Sequence, residues 1–145
     1  DECTRIRFIY GFDEHTPENT VKFFRMLQKV FPFKIQTIQT DNGTEFTYKY
    51  ISEDKECPFD TVLRKAGVEH KLIPPRTPWH NGKVERSHRN DQRYFYDWEH
   101  FKSLDEFNQK LAEHLVWSNN KTMRTLGRKS PVQLLREKLS SLAEN

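Results

Sequence analysis

The sequence predicts an α/β sandwich, and three observations indicate it. Short runs of β-branched and aromatic residues alternate as strands do, other segments repeat apolar residues at helical spacing, and the two kinds of segment follow one another along the chain. A chain of 145 residues can bury enough apolar surface to fold without disulfides or a structural metal. We therefore expect a single domain over residues 1–145.

The first half of the chain is predicted to run strand, helix, strand, helix, strand. Arg5–Phe12 (RIRFIYGF) alternates like one strand of an antiparallel pair, with a partner expected upstream of Asp1. Thr16 and Pro17 have the sequence of a helix N-cap and first residue, and Pro32 ends that helix. The remaining elements are a strand over 34–40, a helix over 60–66 stopped by Gly67, and a strand over 68–73.

The second half is predicted to be mainly helical. The proline-rich stretch 74–82 cannot be regular structure, so we expect a mobile loop there. A helix should follow from Lys83 to about Trp98. A further amphipathic helix carries Leu104, Phe107, Leu111 and Leu115, and Ser130-Pro131 caps a last one.

Charge and composition narrow the function classes. The net charge is only +3, but basic residues concentrate between Arg64 and Arg93, which predicts one positive face. Cys3 and Cys57 lie in no zinc-ligand spacing. No run of about 18 apolar residues and no secretion signal is present, so neither a membrane nor an export role is supported, and a cytoplasmic location is the expectation.

Two acidic residues are candidates for metal-dependent chemistry. Asp41 follows a predicted strand, and Glu85 lies in the first turn of a predicted helix. Carboxylates that converge beyond strand ends can hold Mg²⁺, which prefers oxygen ligands, water and substrate phosphate. Each residue also has a purely structural interpretation. Asp-Asn-Gly is most often a tight turn, and a Glu at a helix start usually only complements the helix dipole.

Four stretches together make the chemical interpretation specific. They are residues 1–5, QTDNGTEF over 39–46, GVEHKLIPPRTPWHNGKVER over 67–86, and the tail over 117–135. In these stretches the chain resembles the retroviral-integrase-like catalytic domain of bacterial insertion-sequence transposases, the group named for its Asp-Asp-Glu triad. The resemblance spans nearly the whole chain. It implies an RNase H-like mixed sheet flanked by helices.

The resemblance also implies roles for individual residues. Asp41 is the second catalytic aspartate and Glu85 the catalytic glutamate, and both would ligate Mg²⁺ or Mn²⁺. The remaining site residues are Asn42 and Gly43 beside the metal, Pro78 and Gly82 in the active-site loop, and the DNA-contact candidates Arg76, His80, Asn81, Lys83, Arg86 and Arg89. Cations beside a metal-bound carboxylate would neutralise the phosphate backbone.

The chain departs from the family pattern in three places. The first catalytic aspartate of the pattern has no counterpart, because Asp1 matches a different, non-catalytic aspartate and Asp13 follows the next strand. We therefore expect a domain that lacks its first strand and first metal ligand. This predicts weak or absent metal binding and no strand transfer by this fragment, with a two-ion site only in the full-length protein. Residues 48–59 look like a surface insertion between Asp41 and Glu85. Lys121, Thr122 and Met123 replace the usual residues of the closing segment.

Other features leave alternatives open. The aromatic residues between Tyr94 and Phe101 could stack on unpaired bases, but a core or dimer contact is the stronger interpretation. Most of the histidines, His70 among them, are interpreted as surface or hydrogen-bonded residues. The basic cluster Lys121, Arg124, Arg128 and Lys129 fits a solvated face and a DNA or partner contact equally well.

The predicted function is metal-dependent phosphoryl transfer at DNA ends, comprising 3′-end cleavage and strand transfer. Its partners would be the terminal repeats of a mobile element, target DNA and further copies of the chain, in a dimer or higher oligomer near the bacterial nucleoid. Two alternatives stay open. One is a non-catalytic DNA-binding or assembly module that keeps the fold, and the other is a nuclease without joining activity.

Overall fold

The computed structural model describes residues 1–52, 54–77 and 82–143. These residues group into two compact units. Unit 1 contains Asp1–Gly11 and Phe101–Asn145, and unit 2 contains Phe12–His100.

Unit 2 follows most of the sequence prediction. Its elements are α1 (Pro17–Val30), β1 (Thr37–Thr40), α2 (Pro58–Ala66), β2 (Glu69–Leu72), α3 (Gly82–Asp91) and a π-helical turn (Gln92–Tyr96). Thr16 caps α1, because its Oγ1 accepts the amide hydrogen of Asn19 at 3.2 Å. Gly67 ends α2 in the left-handed conformation, with a φ of 66°.

The core of unit 2 forms where α1 and α2 pack against the sheet. Phe24, Cys57, Phe59, Leu63 and Val68 are buried there. The Phe24 and Phe59 rings meet edge to face, with centroids 6.3 Å apart. The helical periodicity of α1 and α2 therefore predicts the face that each helix buries.

The sheet of unit 2 is a parallel pair of four-residue strands. Its register pairs Thr37 with Glu69 and Thr40 with Leu72. Just beyond the pair, the Ile73 amide donates to the Thr40 carbonyl at 2.9 Å. Both strands are shorter than predicted, because the ladder covers only part of each β-rich run. Since the strands are parallel, their carboxyl ends lie at the same edge.

Unit 1 contains two further helices, α4 (Leu104–Asn120) and α5 (Pro131–Ala143), as the spacing predicts. A turn of 3-10 helix, Arg124–Leu126, lies between them. Ser130 caps α5 reciprocally: its Oγ accepts the Gln133 amide hydrogen at 3.2 Å, and Gln133 Oε1 accepts the Ser130 amide hydrogen at 2.8 Å. Local capping chemistry thus sets the start of α5.

Arg5–Phe12 forms no β-ladder within the described residues, and because its antiparallel partner was expected upstream of Asp1, the strand stays a prediction. Two asparagine side chains of α4 form hydrogen bonds with this backbone instead. Asn119 accepts from the Arg7 amide at 3.2 Å and donates to the Arg7 carbonyl at 2.9 Å, and Asn108 makes the same pair of bonds with Gly11 at 2.8 and 3.1 Å.

The segment 48–59 is only partly a surface insertion. Tyr50 and Ile51 are exposed, in a turn where the Ile51 and Ser52 amides donate to the Tyr48 carbonyl. Cys57 and Phe59 lie in the core, however. The expectation of a surface loop is therefore wrong for the end of this segment, because its apolar residues are needed to fill the space between α1 and the sheet.

In the part of the chain that the structure describes, none of the helices combines the length and the apolar character needed to cross a membrane.

Gly11 is a position where packing excludes any side chain. A Cβ atom there would lie 2.5 Å from the Phe107 ring, closer than carbon atoms approach without displacement. We expect Gly11→Ala to lower the free energy of unfolding of unit 1 by about 1–3 kcal/mol. Gly82→Ala is the matched control, because among the described residues no atom beyond its chain neighbours and its own helix backbone lies within 4 Å of the added Cβ. Denaturant titration of both variants measures the difference, and equal midpoints would contradict this packing.

The two cysteines should differ sharply in reactivity. Cys3 is exposed, whereas Cys57 is buried in the core of unit 2, and burial raises the pKa of the Cys57 thiol. A raised pKa keeps the thiol protonated and therefore a poor nucleophile. We expect a disulfide reagent to label Cys3 alone in the native chain and both thiols in denaturant. Equal labelling rates before unfolding would disprove the buried position of Cys57.

Candidate active site

Asp41 leaves the sheet directly after β1 and is exposed to solvent. Its Oδ1 accepts the Gly43 amide hydrogen at 3.1 Å, which folds Asp-Asn-Gly into an Asx-type turn. The turn predicted as the structural interpretation is therefore present. It also holds the carboxylate at the carboxyl edge of the parallel pair, where ligands of α/β sheets usually bind.

Asn42 joins the ends of the two strands. Its Nδ2 donates to the Ile73 carbonyl at 2.9 Å, so the loop after β1 is tied to the residue that follows β2. Its Oδ1 is buried, and no described residue donates a hydrogen bond to it. A buried acceptor without a partner is costly and marks a place that a donor or a cation would satisfy. This oxygen belongs to the residue next to Asp41.

Glu85 lies in the first turn of α3 and is exposed. The DNA-contact candidates Lys83, Arg86 and Arg89 are exposed on the same helix. Arg89 lies one helical turn after Glu85, on the same face. Helix α3 thus presents an acidic residue together with basic ones, as the sequence predicts.

The structure describes only part of the predicted active-site loop. Arg76 is exposed and adopts a φ of 63°, which is unusual for a residue with a side chain. Gly82 is the first residue of α3. Pro78, His80 and Asn81 lie outside the described residues. Within residues 1–52, 54–77 and 82–143, no group of three or more His, Cys, Asp or Glu side chains is arranged to hold a metal ion.

A side-chain relay behind Asp41 escaped the sequence analysis. His70 of β2 bonds through Nδ1 to Asp60 Oδ1 at 2.5 Å and through Nε2 to Thr40 Oγ1 at 2.8 Å. The Thr40 hydroxyl is in turn 2.8 Å from the Asp41 carbonyl oxygen. The side chain of His70 is only 10% exposed. The one available signal was its position in a strand that alternates between exposed and partly buried residues.

The aromatic residues after α3 divide into two groups. Phe95 is buried and contacts Tyr96 edge to face, with centroids 5.2 Å apart. Trp98 is 78% exposed, and its indole N–H donates to the Arg93 carbonyl at 2.8 Å. The predicted helix continues through these residues as far as Tyr96, with its last turn widened to a π-helix. Phe95 is therefore a core residue, whereas Trp98 is not, and a dimer contact of Trp98 stays a prediction.

The second basic cluster lies in unit 1. Lys129 pairs with Glu137 at 2.5 Å, and the Lys121 ammonium lies 4.6 Å from the centre of the Trp117 ring. Arg124 and Arg128 are exposed. Two of the four cations are thus engaged within unit 1, and the choice between a solvated face and a DNA contact stays open.

Residues 66–131 match the model of the integrase core domain. The chain is also similar to the crystal structure of the catalytic core domain of BIV integrase, with a TM-score of 0.63, 20% identity, and 91% of this chain and 78% of that one covered. The chain has an integrase-type catalytic core fold. The RNase H-like fold predicted from the sequence motifs is therefore confirmed.

Sequence relatives agree with this integrase-like domain. A Spiroplasma virus protein named as an integrase is 28% identical over 144 residues, which cover 93% of this chain and 40% of that protein. A retrovirus-related Pol polyprotein from an Arabidopsis thaliana transposon is 32% identical over 94 residues, which cover 62% of this chain and 6% of the polyprotein. The integrase-like domain thus spans less than half the length of the curated relatives it matches.

Proposed function

We propose that this integrase-like domain is the catalytic core of a transposase or integrase that cleaves and joins DNA ends. The observation that carries the proposal is the position of Asp41. It is an exposed carboxylate at the carboxyl edge of the parallel strands, within the fold of an integrase catalytic core. The family model supports it further, because residues 66–131 include Glu85 and the basic residues of α3.

The proposed metal ligands are oxygen donors. Asp41 and Glu85 offer exposed carboxylates, and Asn42 offers a buried oxygen that no described residue satisfies. Oxygen donors of this kind suit Mg²⁺ or Mn²⁺. Asp41 and Glu85 would hold the metal, with a third carboxylate expected upstream of Asp1 from the resemblance. When bound, the metal would lower the pKa of the attacking water and neutralise charge on the phosphate.

The reaction consists of two phosphoryl transfers. Water attacks a phosphodiester phosphorus at the element end, the bond to the 3′ oxygen breaks, and a 3′-hydroxyl is released. That hydroxyl then attacks a phosphorus in target DNA and displaces the target's own 3′ oxygen as a hydroxyl. The chain's residues contribute mainly by positioning the groups and compensating charge, with Arg86 and Arg89 on the phosphate backbone.

Removal of either carboxylate should abolish both transfers. We expect Asp41→Asn and Glu85→Gln to lower the rates of nicking and joining by more than about 100-fold, because even outer partners of metal ligands commonly contribute 10–100-fold. The assay uses the longest polypeptide encoded with this chain and labelled DNA ends, in Mg²⁺ and in Mn²⁺. Glu45→Gln, a nearby substitution outside the proposed ligands, is the control.

The products of this assay decide between the candidate functions. Joined product supports the transposase or integrase, and nicked product alone indicates a nuclease. Neither product, with DNA binding retained, indicates an assembly module. The 145-residue chain by itself is expected to be inactive. Efficient Mg²⁺-dependent nicking by that chain would refute the assignment of a missing third ligand.

DNA binding by α3 should be electrostatic and independent of sequence. We expect Arg86→Ala and Arg89→Ala each to reduce the slope of log affinity against log salt by about 1, on any duplex. Arg64→Ala is the control. Its guanidinium already donates hydrogen bonds of 3.1 and 3.0 Å to Glu56, so it should release fewer counterions. Fluorescence anisotropy at several salt concentrations measures the slopes, and equal slopes for all three variants would exclude α3 as the DNA contact.

A further inference from the structure

We propose that Asp60, His70 and Thr40 form a positioning relay for Asp41. The inference rests on the proposed function, in which Asp41 is a metal ligand. The relay begins at the Asp60 carboxylate in the first turn of α2, continues through the His70 ring on β2, and ends at Thr40, the last residue of β1. Contacts of 2.5, 2.8 and 2.8 Å thus connect Asp60 to the backbone carbonyl of Asp41. The Thr40 hydroxyl donates its one hydrogen to that carbonyl, so the chain is complete when both ring nitrogens of His70 donate, Nδ1 to Asp60 and Nε2 to Thr40.

The strand register makes this relay possible. Parallel pairing sets His70 opposite Ile38, and therefore diagonal to Thr40 on the same face of the sheet. Helix α2 packs against β2 and brings Asp60 to the other ring nitrogen. The Phe59 ring contacts His70 edge to face, with centroids 5.4 Å apart and planes at 87°. Packing and hydrogen bonding therefore both restrict the orientation of the imidazole.

Partial burial strengthens the first two bonds of the relay, whereas the last, from the Thr40 hydroxyl to the Asp41 carbonyl, is exposed. The side chains of His70 and Asp60 are 10% and 26% exposed, so water competes weakly for their hydrogen bond. A carboxylate at Nδ1 holds the imidazole with Nε2 directed at its second partner, as in many sites where a histidine is oriented by an acid. Here the second partner is the hydroxyl of Thr40.

Thr40 links the His70 ring to the backbone that follows β1. Its hydroxyl lies 2.8 Å from both His70 Nε2 and the Asp41 carbonyl oxygen, so it restrains the peptide that follows β1. The direction of that peptide decides where the Asp41 side chain leaves the sheet. A backbone bond from the Ile73 amide already holds the Thr40 carbonyl, and the Thr40 hydroxyl adds a restraint one peptide further along, on the Asp41 carbonyl.

Thr37 provides a control within the same strand. Its hydroxyl also bonds to a side chain of β2, with Glu69 Oε2 at 3.0 Å, but this bond is exposed and lies at the opposite end of β1 from Asp41. Thr37→Val and Thr40→Val therefore make the same chemical change in the same strand. A general loss of strand stability would affect both variants, whereas loss of the relay would affect only Thr40→Val.

The experiment follows two NMR signals in the longest polypeptide encoded with this chain, because the 145 residues alone are expected to bind metal weakly or not at all. The first is hydrogen exchange of the Gly43 amide, whose bond to Asp41 Oδ1 reports the carboxylate's position. The second is paramagnetic broadening of the amides of residues 41–43 during a Mn²⁺ titration. We expect Thr40→Val to speed the exchange and to raise the Mn²⁺ concentration for half-broadening about 10-fold. Thr40→Ser should stay within about twofold of the parent chain, because it restores the hydroxyl, and Thr37→Val should match the parent.

Two more variants test the other two residues of the relay. Asp60→Asn retains an acceptor oxygen for Nδ1 but removes the charge, so we expect a smaller effect in the same direction. His70→Phe keeps an aromatic ring beside Phe59 and should behave like Thr40→Val. The relay is overturned if Thr40→Val and Thr37→Val give the same exchange and broadening. If Asp41→Asn leaves the Mn²⁺ broadening unchanged, the assignment of Asp41 as a metal ligand is wrong. Exchange of the Gly43 amide in the Thr40 and Thr37 variants then tests the relay on its own.

Discussion

The parallel pairing of β1 with β2 is the constraint on which the candidate site depends. Because both strands run the same way, they end together, and the residues that follow each of them meet at one edge. Asn42 and Ile73 are joined there by a side-chain hydrogen bond. An antiparallel pair would send Asp41 to the opposite edge from Ile73. The proposed chemistry therefore requires this strand direction before it requires any particular side chain.

Helix boundaries were predictable because the signals that set them are local. Thr16 with Pro17, Gly67, and Ser130 with Pro131 each act within a few residues of the helix end, so the sequence alone contains the whole interaction. The segment Arg5–Phe12 shows the limit of this approach. Alternation reports which side chains are buried, but it does not identify the group that satisfies the backbone. In unit 1 that group is an amide on a helix about a hundred residues later.

The motif residues of the candidate site were predictable from the sequence, but the hydrogen bonds behind them were not. Asp41 and Glu85 were predicted because QTDNGTEF and HNGKVER are specific runs of adjacent residues. His70 escaped because its partners, Asp60 and Thr40, come from two other elements, and only the folded register brings the three together. Its spacing from other histidines contains no trace of that arrangement. Side-chain contacts that depend on sheet register therefore cannot be predicted from the spacing of residues along the chain.

The two asparagines of α4 also bear on the order in which unit 1 assembles. Arg7 and Gly11 find their backbone partners 112 and 97 residues further along the chain. Closing so large a loop has an entropic cost that the few bonds offset only after α4 has formed its turns. The segment around Arg7 is therefore expected to dock late in folding, onto a helix that already exists. Until then its apolar side chains remain accessible to other chains, which makes early folding the stage most exposed to aggregation.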